Sequence, residues 1–196
     1  MKWKIMFVLL LIIVILATLL IIKIKKNPQY NRAEYNEIYN EFNEIDILKD
    51  NSKEIVDVIK NSRGQKYKTI ANLKISKIGL SCPIISEYSE ENIKMAPARL
   101  IGPSPNEPGN LVIVGHNYKN KQMFSNLEKL NKKDEIILKD RKNGEKTYII
   151  YDILEINGND FSCVQQETNG KKEVTLITCL SRNRKKRLVI KSIEKI

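Results

Sequence analysis

Three side chains in this sequence are of types that can share one chemistry. Cys179 ends the apolar, β-branched run "VTLITC" (174–179). Arg187 opens the next apolar run, "RLVIKS" (187–192), after seven residues of which five are basic or amide-bearing. His116, the one histidine of the chain, lies near the end of a third run, "NLVIVGHN" (110–117). Cys179 and Arg187 are equidistant from Asn183, so an antiparallel hairpin with its tip there sets them opposite one another. Directly opposed residues share a face, with Cβ atoms about 5 Å apart. A fixed cation at that distance stabilises a thiolate, or an oxyanion forming beside it. A histidine at a neighbouring strand end can give a proton to a leaving amine. Together the three describe a cysteine transferase or hydrolase. Singly they are weaker signals. An isolated Cys is most often a small buried hydrophobe, a lone His is most often structural, and Arg182 and Arg184 compete with Arg187 for the cationic role.

Short strands must position these residues. "YKTIANLKISKIGLSCPIIS" (67–86) predicts two strands broken at Lys77–Gly79. "SEENIK" (89–94) predicts a short helix, with Ser89 as N-cap and acids in its first turn. "GPSPNEPG" (102–109) is a loop by its Pro and Gly content. The run 110–117 is a buried strand that stops at Gly115–His116, and "QMFSNLEKL" (122–130) is a short helix. "DEIILKD" (134–140), "KTYIIYDILEI" (146–156), "EVTLITC" (173–179) and "RLVIKSIEKI" (187–196) are strands. About eight short strands with few helices predict a mainly β fold closed, or nearly closed, into a barrel.

The amino-terminal part differs. Residues 5–22 are 18 in a row without a charge. As a helix they would span about 27 Å, close to the ~30 Å hydrocarbon core of a bilayer. A cleaved signal peptide needs a shorter apolar region and a small-x-small site. Here "KIKKNPQY" follows instead, so an uncleaved anchor is expected. Lys2 and Lys4 on one side nearly balance Lys23, Lys25 and Lys26 on the other, so charge alone does not orient it. Residues 27–66 carry apolar residues at helical spacing, among them Tyr35, Ile38, Phe42, Ile55 and Ile59, and predict a polar helical stalk. Lys and Arg number 34 against 23 Asp and Glu. This excess favours anionic surroundings such as lipid head groups or wall polymers. Nucleic acid is not an expected partner, because an anchor precedes the body and "RNRKKR" (182–187) has no interleaved aromatics. Cys82 and Cys163 make the thiol count odd, which leaves at least one thiol free. Cys82 is expected in the core, and a Cys82–Cys163 disulfide is the less favoured reading.

At this point the sequence resembles the sortases, membrane-anchored cysteine transpeptidases of Gram-positive bacteria. "TLITC" (175–179) matches the family's TLxTC motif around the nucleophile. "RLVIKS" matches the strand that begins with the family's arginine, and "PNEPGNLVIVGHN" (105–117) matches the histidine segment, typically PGExGNxxIAGH. The resemblance covers about 68–196. It implies a closed eight-stranded sortase-type β-barrel with short helices over 67–196, preceded by a cytoplasmic tip and transmembrane helix (1–26) and a helical stalk (27–66). It implies that Cys179 attacks the Thr–Gly carbonyl of an LPxTG-like sorting signal and forms a thioacyl enzyme. His116 would protonate the leaving amine and deprotonate the incoming one, and Arg187 would hold substrate and oxyanion. Thr175 and Thr178 of the motif are expected to bind substrate. The implied partners are sorting-signal-bearing surface proteins, a cell-wall precursor amine (or a pilin lysine), and the membrane through residues 5–22. The implied topology puts the amino terminus inside and the body outside. No cofactor and no metal are expected, since of the acids that bind calcium in some class A members only Glu107 is near. "NGNDFSCVQQETNGKK" (157–172) is too short for the long helix of class B, and the Asp-Pro-aromatic lid of class C is missing, which leaves a class D-like or compact class A-like member. Two alternatives stay open: a cysteine hydrolase with the same site, and a non-catalytic, wall-binding barrel on an anchor.

Overall fold

The computed structural model describes residues 3, 18, 58–60, 66–118 and 122–196. The expected membrane helix at 5–22 lies outside the described residues apart from Thr18, and most of the expected stalk does too. All described strands belong to the compact unit Arg32–Ile196.

Nine strands follow one another in the chain. They are β1 (Val58–Lys60), β2 (Lys66–Ile75), β3 (Leu80–Ile85), β4 (Ala98–Ile101), β5 (Gly109–Val114), β6 (Glu135–Asp140), β7 (Gly144–Asn157), β8 (Lys172–Cys179) and β9 (Lys186–Glu194). Their spatial order is β1-β2-β3-β4-β5-β8-β9-β7-β6, and β6 returns to pair with β2 through Asn72–Lys139 to Lys74–Ile137. The eight strands β2 to β9 therefore close into the expected barrel. Closure removes the open edges that would otherwise template aggregation. β1 adds a ninth strand on the first three residues of β2. The helical spacing that continued to Ile59 gives way there. β-branched Val58 and Ile59 favour an extended backbone, and β2 offers them hydrogen-bonding partners.

The break between β2 and β3 is a 3-10 turn, Ser76–Ile78, closed by Gly79 at φ +62, a left-handed conformation that glycine adopts without strain. The expected helix near residue 90 is a single α-turn, α1 (Asn92–Met95). The N-cap is Glu91 rather than the expected Ser89, and the first turn holds no acid, but Ser89 Oγ still accepts from Asn92 N–H at 2.9 Å. The segment read as a helix at 122–130 is a 3-10 helix, Phe124–Lys129. β4 has no counterpart in the sequence reading. It is four residues long, only Ala98 is buried, and no alternation marks it.

Two apolar clusters explain why β5 and β8 are mostly apolar. Leu111, Ile113, Val174 and Leu176 face the barrel interior with Leu73, Phe124 and Tyr148. Val112, Ile177 and Val189 face outward and pack on Cys163, which the β7–β8 connection lays over them. A strand covered on both faces needs apolar residues at every position. Each buried Val, Leu or Ile contributes about 1.5–3 kcal/mol.

Candidate active site

β5 and β8 pair in parallel, with Val112 opposite Thr175 and Val114 opposite Ile177. Both strands thus end at the same rim of the barrel. His116 and Cys179, each two residues beyond the last pair, emerge there together. Side-chain and backbone bonds lock the seam. Thr178 Oγ1 donates to Gly115 O at 2.7 Å, and Gly115 N–H donates to Ile177 O at 3.1 Å. Gly115 has no room for a side chain, because a Cβ there would stand 2.7 Å from the Phe124 ring. His116 O in turn accepts from Phe124 N–H at 3.1 Å.

On the other side of β8 the antiparallel pairing sets Cys179 opposite Arg187, the register that the sequence predicts. The hairpin turns around Asn183, whose carbonyl accepts from Lys186 N–H at 2.9 Å. Arg187 Nη1 donates to Arg184 O at 2.9 Å and to Lys186 O at 3.3 Å. One nitrogen of the guanidinium is committed to the hairpin, and the planar fork retains further donors for a bound group.

His116, Thr178, Cys179 and Arg187 line one cleft of about 350 Å³. Ile93, Leu100, Val114 and Ile177 form its apolar surface, and Tyr88 and Glu90 supply a polar wall. Tyr88 Oη donates to Glu90 Oε1 at 2.5 Å. Cys179 is partly exposed, whereas Cys82 and Cys163 are buried, and none of the three is in a disulfide. Burial pushes the Cys163 thiol up, away from thiolate formation. Burial likewise holds the His116 pKa below its usual value; Glu90 opposes this, while Arg184 and Lys94 add to it. At pH 7 the imidazole is therefore predominantly neutral, ready to take a proton.

The expected substrate contact at Thr175 is corrected by its surroundings. Thr175 is wholly buried, and its Oγ1 donates to Asn110 Oδ1 at 2.8 Å. Asn110 Nδ2 then donates to Cys163 O and Gln165 O, both at 3.1 Å. Thr175 shares a face with Cys179, but the β7–β8 connection covers that face before the rim is reached. Thr178 does line the cleft, with its hydroxyl engaged by Gly115. Arg182 is exposed and pairs with Glu155. Arg184, expected on a purely solvated turn, instead donates from Nη2 to Asn117 O at 3.3 Å.

A polar cluster beside the cleft escaped the sequence reading. Asn117 Nδ2 donates to Cys179 O at 2.8 Å and to Ser181 Oγ at 3.0 Å, and lies 3.5 Å from Glu128 Oε1. Glu128 Oε1 also accepts from Ser181 N–H at 2.8 Å. Burial pushes the Glu128 carboxyl up, but hydrogen bonds from Ser181 and Asn117 and the charge of Arg182 together outweigh it and leave the pKa below the ordinary value. The one signal in the sequence was an amide placed directly after the histidine. Among the described residues no three His, Cys, Asp or Glu side chains converge as a metal site.

A sequence model of the sortase domain matches residues 73–194, from the last residues of β2 to the end of β9. The chain belongs to the sortase family. Sortase A of Bacillus anthracis is 29% identical over 161 residues, which span 81% of this sortase and 74% of that protein. A Clostridium perfringens Sortase D5 transpeptidase has the same fold, with a TM-score of 0.64 at 24% identity over 84% of this chain and 99% of that one. A lid mutant of sortase A from Corynebacterium diphtheriae aligns at TM-score 0.61 and 21% identity, over 69% and 74% of the two chains. At these identities the two structures speak for the sortase fold. The three cleft residues lie inside the matched segment.

Proposed function

We propose that this sortase is a cysteine transpeptidase that cleaves an LPxTG-like sorting signal between Thr and Gly and joins the new carboxyl end to an amine. The acceptor is an amine of a cell-wall precursor or of a pilin. The observation that carries this reading is the convergence of His116, Cys179 and Arg187 in one cleft. Neutral His116 takes the thiol proton as Cys179 Sγ attacks the threonine carbonyl carbon. Arg187 donates to the oxyanion that forms. The C–N bond to glycine then breaks, and His116 gives its proton to the departing amine. The acceptor amine attacks the thioacyl carbon, His116 removes a proton from the amine, the C–S bond breaks as the new amide forms, and that proton returns to the sulfur. The apolar surface of Ile93, Leu100, Val114 and Ile177 suits the aliphatic part of such a signal. In this reading residues 5–22 anchor the enzyme, with the amino terminus cytoplasmic and the body outside. The short β7–β8 connection, with one 3-10 turn at Ser162–Val164, favours a compact class A-like or class D-like enzyme.

The test incubates the protein with an LPxTG-type peptide, with and without triglycine. Ligated product that depends on the amine, and an acyl adduct on Cys179 by mass spectrometry, are expected. Cleavage that yields only the free acid in both arms would turn the reading into a hydrolase. The absence of any adduct on Cys179 would overturn it. Protein lacking residues 1–26 should be soluble and still active.

A further inference from the structure

We infer that Asn117, together with Glu128 and Arg184, is a positioning device that sets the relative placement of Cys179, His116 and Arg187; the inference rests on the catalytic reading of that cleft. Strand pairing sets Cys179 opposite Arg187, but on the other side it ends at Val114, two residues before His116. Beyond the rim a circuit of hydrogen bonds takes over. Arg187 Nη1 donates to Arg184 O. Arg184 Nη2 donates to Asn117 O. Asn117, the neighbour of His116, donates to Cys179 O. The circuit therefore passes through the peptide of the nucleophile, the residue after the base and the backbone that holds the cation.

Glu128 completes it from outside. The Asn117 amide takes the carbonyl of Cys179 and the Glu128 carboxylate takes the N–H of Ser181, so the two bracket the two peptide groups that follow the nucleophile. This fixes the backbone torsion that aims the Cys179 Cα–Cβ bond. Asn117 is buried, so its bonds are shielded from water, whereas Arg184 is exposed and its single bond is weaker. Glu128 lies on the same 3-10 helix as Phe124, whose N–H holds His116 O. One short helix thus grips both the base and the nucleophile. None of these residues touches the reacting atoms in this scheme, and their effect passes through Cys179 and His116.

The charged groups that act on His116 are Glu90 from the loop before α1, Lys94 from α1 itself and Arg184 from the hairpin, with the Tyr118 ring at 4.9 Å. Arg184 pushes the imidazole towards neutrality. His116 is the only histidine in the chain, so a single imidazole resonance reports on it.

The experiment uses the full chain and four variants: Asn117→Ala, Asn117→Asp, Arg184→Ala and Arg184→Lys. Arg182→Ala is the control. Steady-state transfer from an LPxTG-type peptide to triglycine gives kcat and KM, and NMR titration gives the His116 pKa. Asn117→Ala and the near-isosteric Asn117→Asp should both lower kcat about 10- to 100-fold, with KM within about twofold, because each removes the same donor. Arg184→Ala should lower kcat about fivefold and raise the His116 pKa, and Arg184→Lys should restore the pKa but only part of the rate. Arg182→Ala should change neither. If Asn117→Asp retains wild-type kcat, or the Asn117 variants act on KM alone, the inference is overturned. If the Asn117 variants do not fold, Arg184→Ala decides by its kcat and its imidazole titration, and no change in both overturns it. If wild-type protein forms no thioacyl adduct, the catalytic reading itself has failed. The rate of Cys179 alkylation by iodoacetamide then judges the circuit alone: a rate unchanged in Asn117→Ala overturns it.

Discussion

The two ends of β5 use the same device for different purposes. At its start, the loop Gly102–Pro108 is tied down by Asn106, which is buried at φ +61, a conformation that asparagine tolerates better than most residues. Its Nδ2 donates to Leu138 O at 3.2 Å, to Gly144 O at 3.0 Å and to Asp140, and its Oδ1 accepts from Tyr148 Oη at 2.8 Å. At the other end Asn117 donates to Cys179 and Ser181. Each asparagine gathers oxygens from distant strands, and each stands beside a cleft of similar size, about 320 Å³ against 350 Å³. The partners differ. Asn106 holds the β6–β7 hairpin, beside a cleft whose lining includes neither a cysteine nor a histidine, whereas Asn117 holds the backbone of a thiol-bearing residue. The network at the first end serves stability, and the one at the second end serves geometry.

The sharpest way to break this comparison is to remove the sulfur. Cys179→Ala should lower transfer by more than about 10³-fold while circular dichroism stays unchanged. Cys82→Ala and Cys163→Ala should retain the activity of whatever fraction folds. Next is the cation. Arg187→Ala and Arg187→Lys should both fall about 10²–10³-fold in kcat, since an ammonium cannot reproduce the planar donor fork. At the opposite end, Asn106→Ala should cost about 2–3 kcal/mol in stability, because Tyr148 Oη and two carbonyls lose their partner in a buried site. Urea unfolding measures that loss, and kcat per folded molecule should stay unchanged. If kcat falls as well, the two ends are coupled and the division of labour is wrong. The smallest effect is electrostatic. Glu90 favours the imidazolium of His116, so Glu90→Gln should lower the pKa of that imidazole further. NMR titration checks the sign, and an upward shift would contradict the placement of Glu90.

Local patterns made part of this site legible. The Cys179–Arg187 pairing needs only an antiparallel hairpin centred on Asn183, and both flanking runs are in the chain to be seen. The closed barrel also follows from the number of short apolar runs. The meeting of His116 with Cys179 depends on a parallel pairing between segments some 63 residues apart, and spacing alone does not reveal such a partner. β4 is too short to show a period, and Val58–Lys60 fits a helical spacing until a strand edge is available to it. Thr175 belongs to the motif around Cys179, and nothing in that motif signals its burial. The β7–β8 connection that covers it carries no apolar periodicity of its own. The Asn117 cluster joins residues 11 to 67 positions apart, each of them an ordinary polar residue in its own neighbourhood.

The parallel seam also sets an order of events. β5 is synthesised long before β8, and until β8 arrives Leu111, Val112 and Ile113 lack the strand and the outer layer that bury them. Non-local pairings of this kind form late, after the local hairpins. His116 and Cys179 therefore come together only after β8 has been made and has docked on β5. A nascent chain that has β5 but not β8 has a histidine with no Cys179 beside it, so in the proposed reading the activity waits for that seam to close.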